Sequence, residues 1–187
     1  MPKNERVTTD FNFFETHFNG FRPFEIAAVA QQGYLITDPE VLQTIEEVEQ
    51  YAKQYAIING VQSITMIYKS MHRAYNGDNP AAYLLPEDTS VLHRYNRDLS
   101  RISSSEMQLL LSEDKRYGRI SATLSDAGTD SIRMVQSEIQ QYINKLPNQE
   151  KVQFTITGTG IIFDKNTQYL RRNIISGVLL AFLCICI

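Results

Sequence analysis

The last fourteen residues constrain this chain more than any other segment. From Ile174 to Ile187 no side chain is charged, and only Ser176 and Gly177 interrupt the apolar texture. Val178 through Ile187 is apolar without a break. Wound as a helix, this run would extend about 21 Å at ~1.5 Å per residue. The hydrocarbon core of a bilayer calls for roughly 20 apolar residues. A helix on the surface of a globular domain needs one polar side, and this run has none. The expectation is therefore the first two thirds of a transmembrane helix over 174–187, cut off before its far flank. A buried core helix is the competing expectation for so short a run.

The two cysteines, Cys184 and Cys186, both fall inside the run. Two positions apart on a helix, they point to different faces. They make neither a metal-ligand spacing nor a disulfide framework. Residues 1–10 are polar and charged, so no signal peptide opens the chain. Together with the open-ended tail, this leads us to expect a fragment of a larger membrane protein.

The rest of the chain has the composition of one domain. Of 187 residues, 43% are hydrophobic and 10% aromatic, which excludes a disordered polymer. The net charge of −3 argues against a nucleic-acid binder built on a basic face.

Local patterns then order the elements. Residues 1–10 are a flexible start. Phe11, Phe14 and Phe18 share one helical face in a short helix over 10–18, ended by Asn19-Gly20. Residues 24–29 form a buried strand. Thr37-Asp38-Pro39-Glu40 starts a helix, with a capping box from Thr37 to Glu40. Val41, Ile45, Val48, Ala52 and Tyr55 recur on its apolar face, and Asn59-Gly60 ends it. Glu46, Glu47 and Glu49 are placed on its solvated side. Residues 61–68 are β-rich and read as a second strand.

A helical insertion follows over about 69–115. Asn76-Gly77-Asp78-Asn79-Pro80 is a loop. Leu85-Pro86-Glu87-Asp88-Thr89 leads into a helix carrying Val91, Leu92, Tyr95 and Leu99. Ser103, Ser104 and Ser105 cap a short helix through Leu111, and Glu113-Asp114-Lys115 turns the chain. A third strand alternates Ile120, Ala122 and Leu124 with Arg119, Ser121 and Thr123. Ile132, Val135, Ile139, Ile143 and Leu146 mark a helix stopped by Pro147. Val152, Phe154 and Ile156 alternate in a fourth strand, broken by Thr157-Gly158-Thr159-Gly160. Residues 161–173 are an amphipathic connector into the apolar run. Strand, helix, strand, insertion, strand, helix, strand is the ferredoxin-like split βαβ pattern, an α+β sandwich with both helices on one face of the sheet.

No constellation in this domain, residues 11–160, points to catalysis. Thr157-Gly158-Thr159-Gly160 lies where a phosphate loop would, but the third glycine of the dinucleotide fingerprint is replaced by Phe163, and no Gly-Lys-Ser/Thr follows. A tight turn accounts for it. His17, His72 and His93 are scattered, without metal spacing. The serines at 103–105 lack a nucleophile elbow. An RNA-reading sheet needs exposed aromatics and a basic surround, and Arg119 stands in a strand with no aromatic after Tyr117. We expect no enzyme activity, no cofactor, no metal and no nucleic-acid partner.

Several short segments, in this order, resemble a known family. Phe14 through Phe18-Asn19-Gly20-Phe21-Arg22-Pro23-Phe24-Glu25 is similar to the opening of the second extracytoplasmic domain of RND-superfamily transporters, in the MMPL, or Patched-like, exporter group. The similarity continues through Asp38-Pro39, residues 64–75, Leu85-Pro86-Glu87-Asp88, Thr157-Gly158-Thr159-Gly160 and residues 170–187. It covers nearly all of the chain after residue 10. The resemblance implies a porter domain of ferredoxin-like build, followed by the start of the next transmembrane helix. It implies a proton-gradient-driven inner-membrane exporter of lipids or other hydrophobic molecules, with residues 11–160 on the extracytoplasmic side. Its partners would be the remaining membrane helices and the first porter domain of the same transporter. Tyr75, Tyr83, Leu84 and Leu85 are the candidate lining of the substrate path.

One feature departs from that placement. Arg171 and Arg172 precede the apolar run, and the positive-inside rule would put that end in the cytoplasm. The expectation from a different class is a tail-anchored membrane protein whose soluble domain binds a protein partner.

Overall fold

In a strand with one covered face, every second side chain must be apolar. Four segments meet that demand, and the computed structural model joins them in one sheet. The structure describes residues 22–100, 105–125, 127–158 and 169–179, with residues 10, 13, 17 and 182. Strand β1 (Arg22–Ala30) lies inside the sheet, paired antiparallel with β3 (Tyr117–Leu124) on one side and β4 (Val152–Thr157) on the other. Strand β2 (Ile58–Gln62) flanks β3, so the order is β2-β3-β1-β4 with every neighbour antiparallel. Helix α1 (Pro39–Ala52) connects β1 to β2, and helix α5 (Thr129–Asn144) connects β3 to β4. The domain is therefore α+β, a four-stranded antiparallel sheet with helices.

Alternation places Phe24, Ile26 and Ala28 of β1, Ile120 and Leu124 of β3, and Val152 and Phe154 of β4 in a single core. Val41, Leu42, Ile45 and Val48 of α1 and Ile132, Val135, Ile139 and Ile143 of α5 complete it. The two helices also meet through a face-to-face stack of Tyr51 on Tyr142, with centroids 3.8 Å apart. The opposite face of the sheet is lined by small and polar side chains, among them Ser121, Thr155 and the ion pair of Glu25 with Arg119 at 3.5 Å.

Between β2 and β3 the chain builds a separate helical layer. It comprises α2 (Thr65–Tyr75), a 3-10 turn (Pro80–Ala82), α3 (Thr89–Leu99) and the short α4 (Ser105–Gln108). Asp88 caps α3 by accepting from the Ser90 N–H at 2.8 Å, and Leu92, Tyr95 and Leu99 are its buried side. The turn at 112–116 brings Leu111 into a bridge with Gly118 and returns the chain to β3.

Three local expectations are corrected. Asn59-Gly60 does not end α1, which stops at Ala52; the pair sits inside β2. The register of β2 on β3 shifts between Asn59 and Gln62, and Gly60 takes φ +61° there. That left-handed conformation is what the glycine supplies. Residues 65–68, rich in β-branched and aromatic side chains, belong to α2 rather than a strand, with Ile64 as its N-cap. Ile64, Thr65 and Tyr68 fall on one helical face and are all buried, so packing overrides propensity. The capping box from Thr37 to Glu40 is not formed. Asp38 is the N-cap residue, its carboxylate accepts from the Leu35 N–H at 2.8 Å, and Glu40 pairs with Lys151.

The acidic side of α1 is the fourth correction. Glu49 is only 2% exposed, one position from Val48 on the buried face. Its carboxylate accepts from the Thr65 hydroxyl at 2.8 Å and from the Lys69 ammonium at 3.1 Å, both on α2. Lys69, 5% exposed, also pairs with Glu46. Burial is the largest single influence on Lys69 and opposes its charge. The hydrogen bonds and charges of Glu46 and Glu49 together outweigh it and raise its pKa above the ordinary lysine value. Burial likewise acts against the Glu46 carboxylate, yet the bond from Lys69, with Gln50 and Lys53, brings its pKa below the usual value.

The expected transmembrane start is partly described. Residues 169–179 are helical, and every one of them is exposed, as is Phe182. Among the described residues no helix is long and apolar enough to cross a membrane. Residues 180, 181 and 183–187 of the apolar run lie outside the described residues, as do Phe11, Phe14 and Phe18, Ser103 and Ser104, Thr159 and Gly160, and residues 161–168 of the connector.

Removing the buried cation tests the ionic tie. Lys69→Met leaves Glu49 with only the part-exposed Lys53, 3.5 Å away, as counter-charge and should lower the unfolding free energy by roughly 2–4 kcal/mol, read from the urea midpoint. The pH profile follows from the two shifts. Glu46 contributes stability that is full above the ordinary carboxylate pKa and lost as pH falls through its depressed value. Lys69 contributes stability that is full below the ordinary lysine pKa and lost as pH rises through its raised value. Unfolding monitored across pH should give a dome for the native chain, with both limbs flattened in Lys69→Met.

Candidate functional site

The helical layer holds the two features with the chemistry of a site. The first is a cavity of about 300 Å³ where the β1–α1 loop, α2, α3, α4 and the turn before β3 converge. Its apolar wall is Ile64, Leu99, Met107 and Leu111. Its polar wall is a relay across three elements. The Tyr68 hydroxyl donates to Asn96 Oδ1, and Asn96 Nδ2 donates to the Thr37 carbonyl at 2.8 Å. Tyr68 reaches the cavity because α2 repeats apolar positions at 64, 68 and 71, which faces its ring inward. Asn96 follows buried Tyr95 on α3 and so lies beside the packed face rather than in solvent. Burial, helped by the Asp38 charge, raises the Tyr68 phenol well above its ordinary pKa, so it stays a neutral donor. Glu113 and Lys115 also line the cavity, toward the turn before β3.

The second feature is an aromatic face on the outer side of α2 and α3. The Tyr75 ring stacks on Tyr95, with centroids 5.2 Å apart and planes 8° from parallel. The Arg94 guanidinium lies 5.2 Å from the Tyr75 centroid and 5.5 Å from that of Tyr95. Such contacts hold a cation over the negative face of the ring. The Tyr75 hydroxyl donates to Asp98 Oδ2 at 2.8 Å, and that bond raises its pKa. Beneath the stack, His72 Nδ1 lies 3.0 Å from the buried Tyr95 hydroxyl.

Of the residues expected to line a substrate path, one belongs to these two features and three lie outside them. Tyr75 belongs to the stack. Tyr83 and Leu84, 46% and 47% exposed, project from the segment after the 3-10 turn. Leu85 is half-buried against the core. None of the four lines the cavity. Among the described residues no group of three or more His, Cys, Asp or Glu side chains converges as metal ligands would. Gly158 follows β4 with φ +109°, where a side chain would be strained.

Sequence reasoning missed Thr37, Tyr68, Asn96 and Met107 as cavity residues. A signal was present for one of them, since an asparagine between Leu92, Tyr95 and Leu99 at helical spacing is a polar group brought to a packed face. Nothing local signals the other three.

Compared with known proteins, the chain matches no protein-family model and no curated protein.

The polar relay gives a ranking of two variants. Asn96→Ala leaves both the Tyr68 hydroxyl and the Thr37 carbonyl without this partner and should cost about 1–3 kcal/mol. Tyr68→Phe removes one donor and keeps the Asn96–Thr37 bond, and should cost about 0.5–1.5 kcal/mol. Chemical denaturation of the two variants side by side checks the order.

Proposed function

We propose that this chain is a porter-type extracytoplasmic domain of an RND-superfamily transporter of the MMPL, or Patched-like, group, with the start of the transmembrane helix that follows it. The observation that carries the reading is the strand order β2-β3-β1-β4 with all neighbours antiparallel and a helical crossover in each half. That is the order two interlocked split βαβ units produce, the ferredoxin-like build. The helical layer between β2 and β3 takes the place of the insertion. A second support is the exposed helix of residues 169–179, in which Ile174, Ile175, Val178 and Leu179 are 50–64% exposed. Apolar side chains in that number call for a non-aqueous surrounding.

In this reading the domain performs no chemistry. Coupling to the proton gradient belongs to ionisable groups within the membrane helices, where a buried charge is costly and therefore used. The domain forms part of the path for a lipid or other hydrophobic substrate and moves with the helices that carry it. Tyr75, Tyr83, Leu84 and Leu85 offer an aromatic and aliphatic surface for that path. The domain stands on the extracytoplasmic side of the inner membrane, against the positive charge of Arg171 and Arg172.

The size of the native polypeptide tests the proposal. Membrane and soluble fractions are blotted with an antibody raised against residues 22–158. The expected result is a membrane band several times 21.4 kDa, with the epitope open to protease added to spheroplasts. A membrane band near 21.4 kDa would favour the tail-anchored binding module instead. A soluble band of that size would defeat both readings.

A further inference from the structure

We infer that the cavity in the helical layer is a binding site for a small neutral amphiphile of about ten heavy atoms, an apolar body with a hydroxyl or primary amide at one end. The inference rests on the cavity alone and stands whether or not the chain belongs to a transporter.

Size sets the body. A volume of about 300 Å³ is at the lower end of ligand pockets. At ~30 Å³ per heavy atom, a water molecule's share of its liquid, it holds about ten. The wall against that body is Ile64, Leu99, Leu111 and the adaptable thioether of Met107.

The polar wall sets the head group. The Tyr68 hydroxyl spends its proton on Asn96 Oδ1 and keeps acceptor capacity on its oxygen. Asn96 gives one N–H to Thr37, and its second N–H meets no acceptor among the described residues. Donor and acceptor capacity therefore remain side by side. A hydroxyl or primary amide both donates and accepts, and answers both at once. A carboxylate only accepts, and an ammonium only donates, so each leaves one side of the pair unmatched. Charge selects in the same direction. Glu113 and Lys115 both line the cavity, with opposite signs, so neither an anionic nor a cationic head finds a net counter-charge. The neutral phenol of Tyr68 adds none.

The test uses the full chain in lipid nanodiscs with methyl-labelled methionine. A local resonance is unaffected by ligand that merely partitions into lipid. Met107 lines the cavity, and the exposed Met134 of α5 serves as the internal control. The probes are n-octanol, octanoate and n-octylamine. We expect n-octanol to shift the Met107 methyl saturably and to leave Met134 in place. Octanoate and n-octylamine should bind at least tenfold more weakly. Leu99→Phe, which fills the cavity, should abolish the shift. If that variant does not fold, Gln108→Trp, at an exposed position on the rim, should weaken n-octanol at least tenfold. No saturable shift with n-octanol, or an undiminished shift in the filled or rim-blocked variant, overturns the site. Equal binding of octanoate or n-octylamine overturns the assignment of a neutral head.

Discussion

A single lysine holds the two layers of this domain in register. Lys69 of α2 enters a region walled by α1 and meets Glu49 and Glu46 there, while Thr65, one turn earlier, meets Glu49 as well. The adjoining face of α1 packs into the core through Val41, Ile45 and Val48. One helix is therefore committed in two directions, by apolar contact below and by charge above. An apolar contact between α1 and α2 would tolerate sliding. A buried carboxylate tolerates little, because any displacement leaves a charge without its partner in a poorly solvated place. The position of α2 on α1 follows from this, and everything in the helical layer is built from α2.

The cavity is a consequence of that placement. Tyr68 is carried inward on the same face of α2 as Thr65, and α3 is drawn to it through Asn96, which also reaches down to the Thr37 carbonyl at the start of α1. The α2–α3 pair is thus fastened at its base to the loop that follows β1. Among the described residues, its far side is closed by the four-residue α4 and the turn before β3. About 300 Å³ remains between them. The aromatic face on the outer side is a separate arrangement, with Tyr75 and Arg94 layered over the buried Tyr95.

Much of the sheet half was legible. The apolar run at 24–29, the alternation at 119–124 and 152–156, and the 3.6-residue recurrence from Ile132 to Ile143 are direct images of burial. The stretch from Tyr55 to Tyr68 was misread because its signals point both ways. Asn59-Gly60 is composed like a helix stop and serves as a bulge, and Ile64-Thr65-Met66-Ile67-Tyr68 is composed like a strand and folds as a helix. Glu49 was misplaced because charge was given more weight than position. Its spacing from Ile45 and Val48 already set it on the buried side, and the distant Thr65 and Lys69, with Lys53 of its own helix, make that burial tolerable.

By itself, then, the sequence determined where β1, β3, β4 and α5 run and which of their faces are apolar, and that residues 174–187 have no polar side. Each of these depends on the chain's own periodicity, which burial of a single face imposes locally. The tertiary structure alone decided the β2-β3-β1-β4 order, the lysine tie between α1 and α2, and the meeting of Thr37, Tyr68, Asn96 and Met107 around one cavity. These join residues tens of positions apart. A hydrogen bond or ion pair across such a distance leaves no periodic trace, because each partner satisfies its local rules in many folds and finds the other in only one.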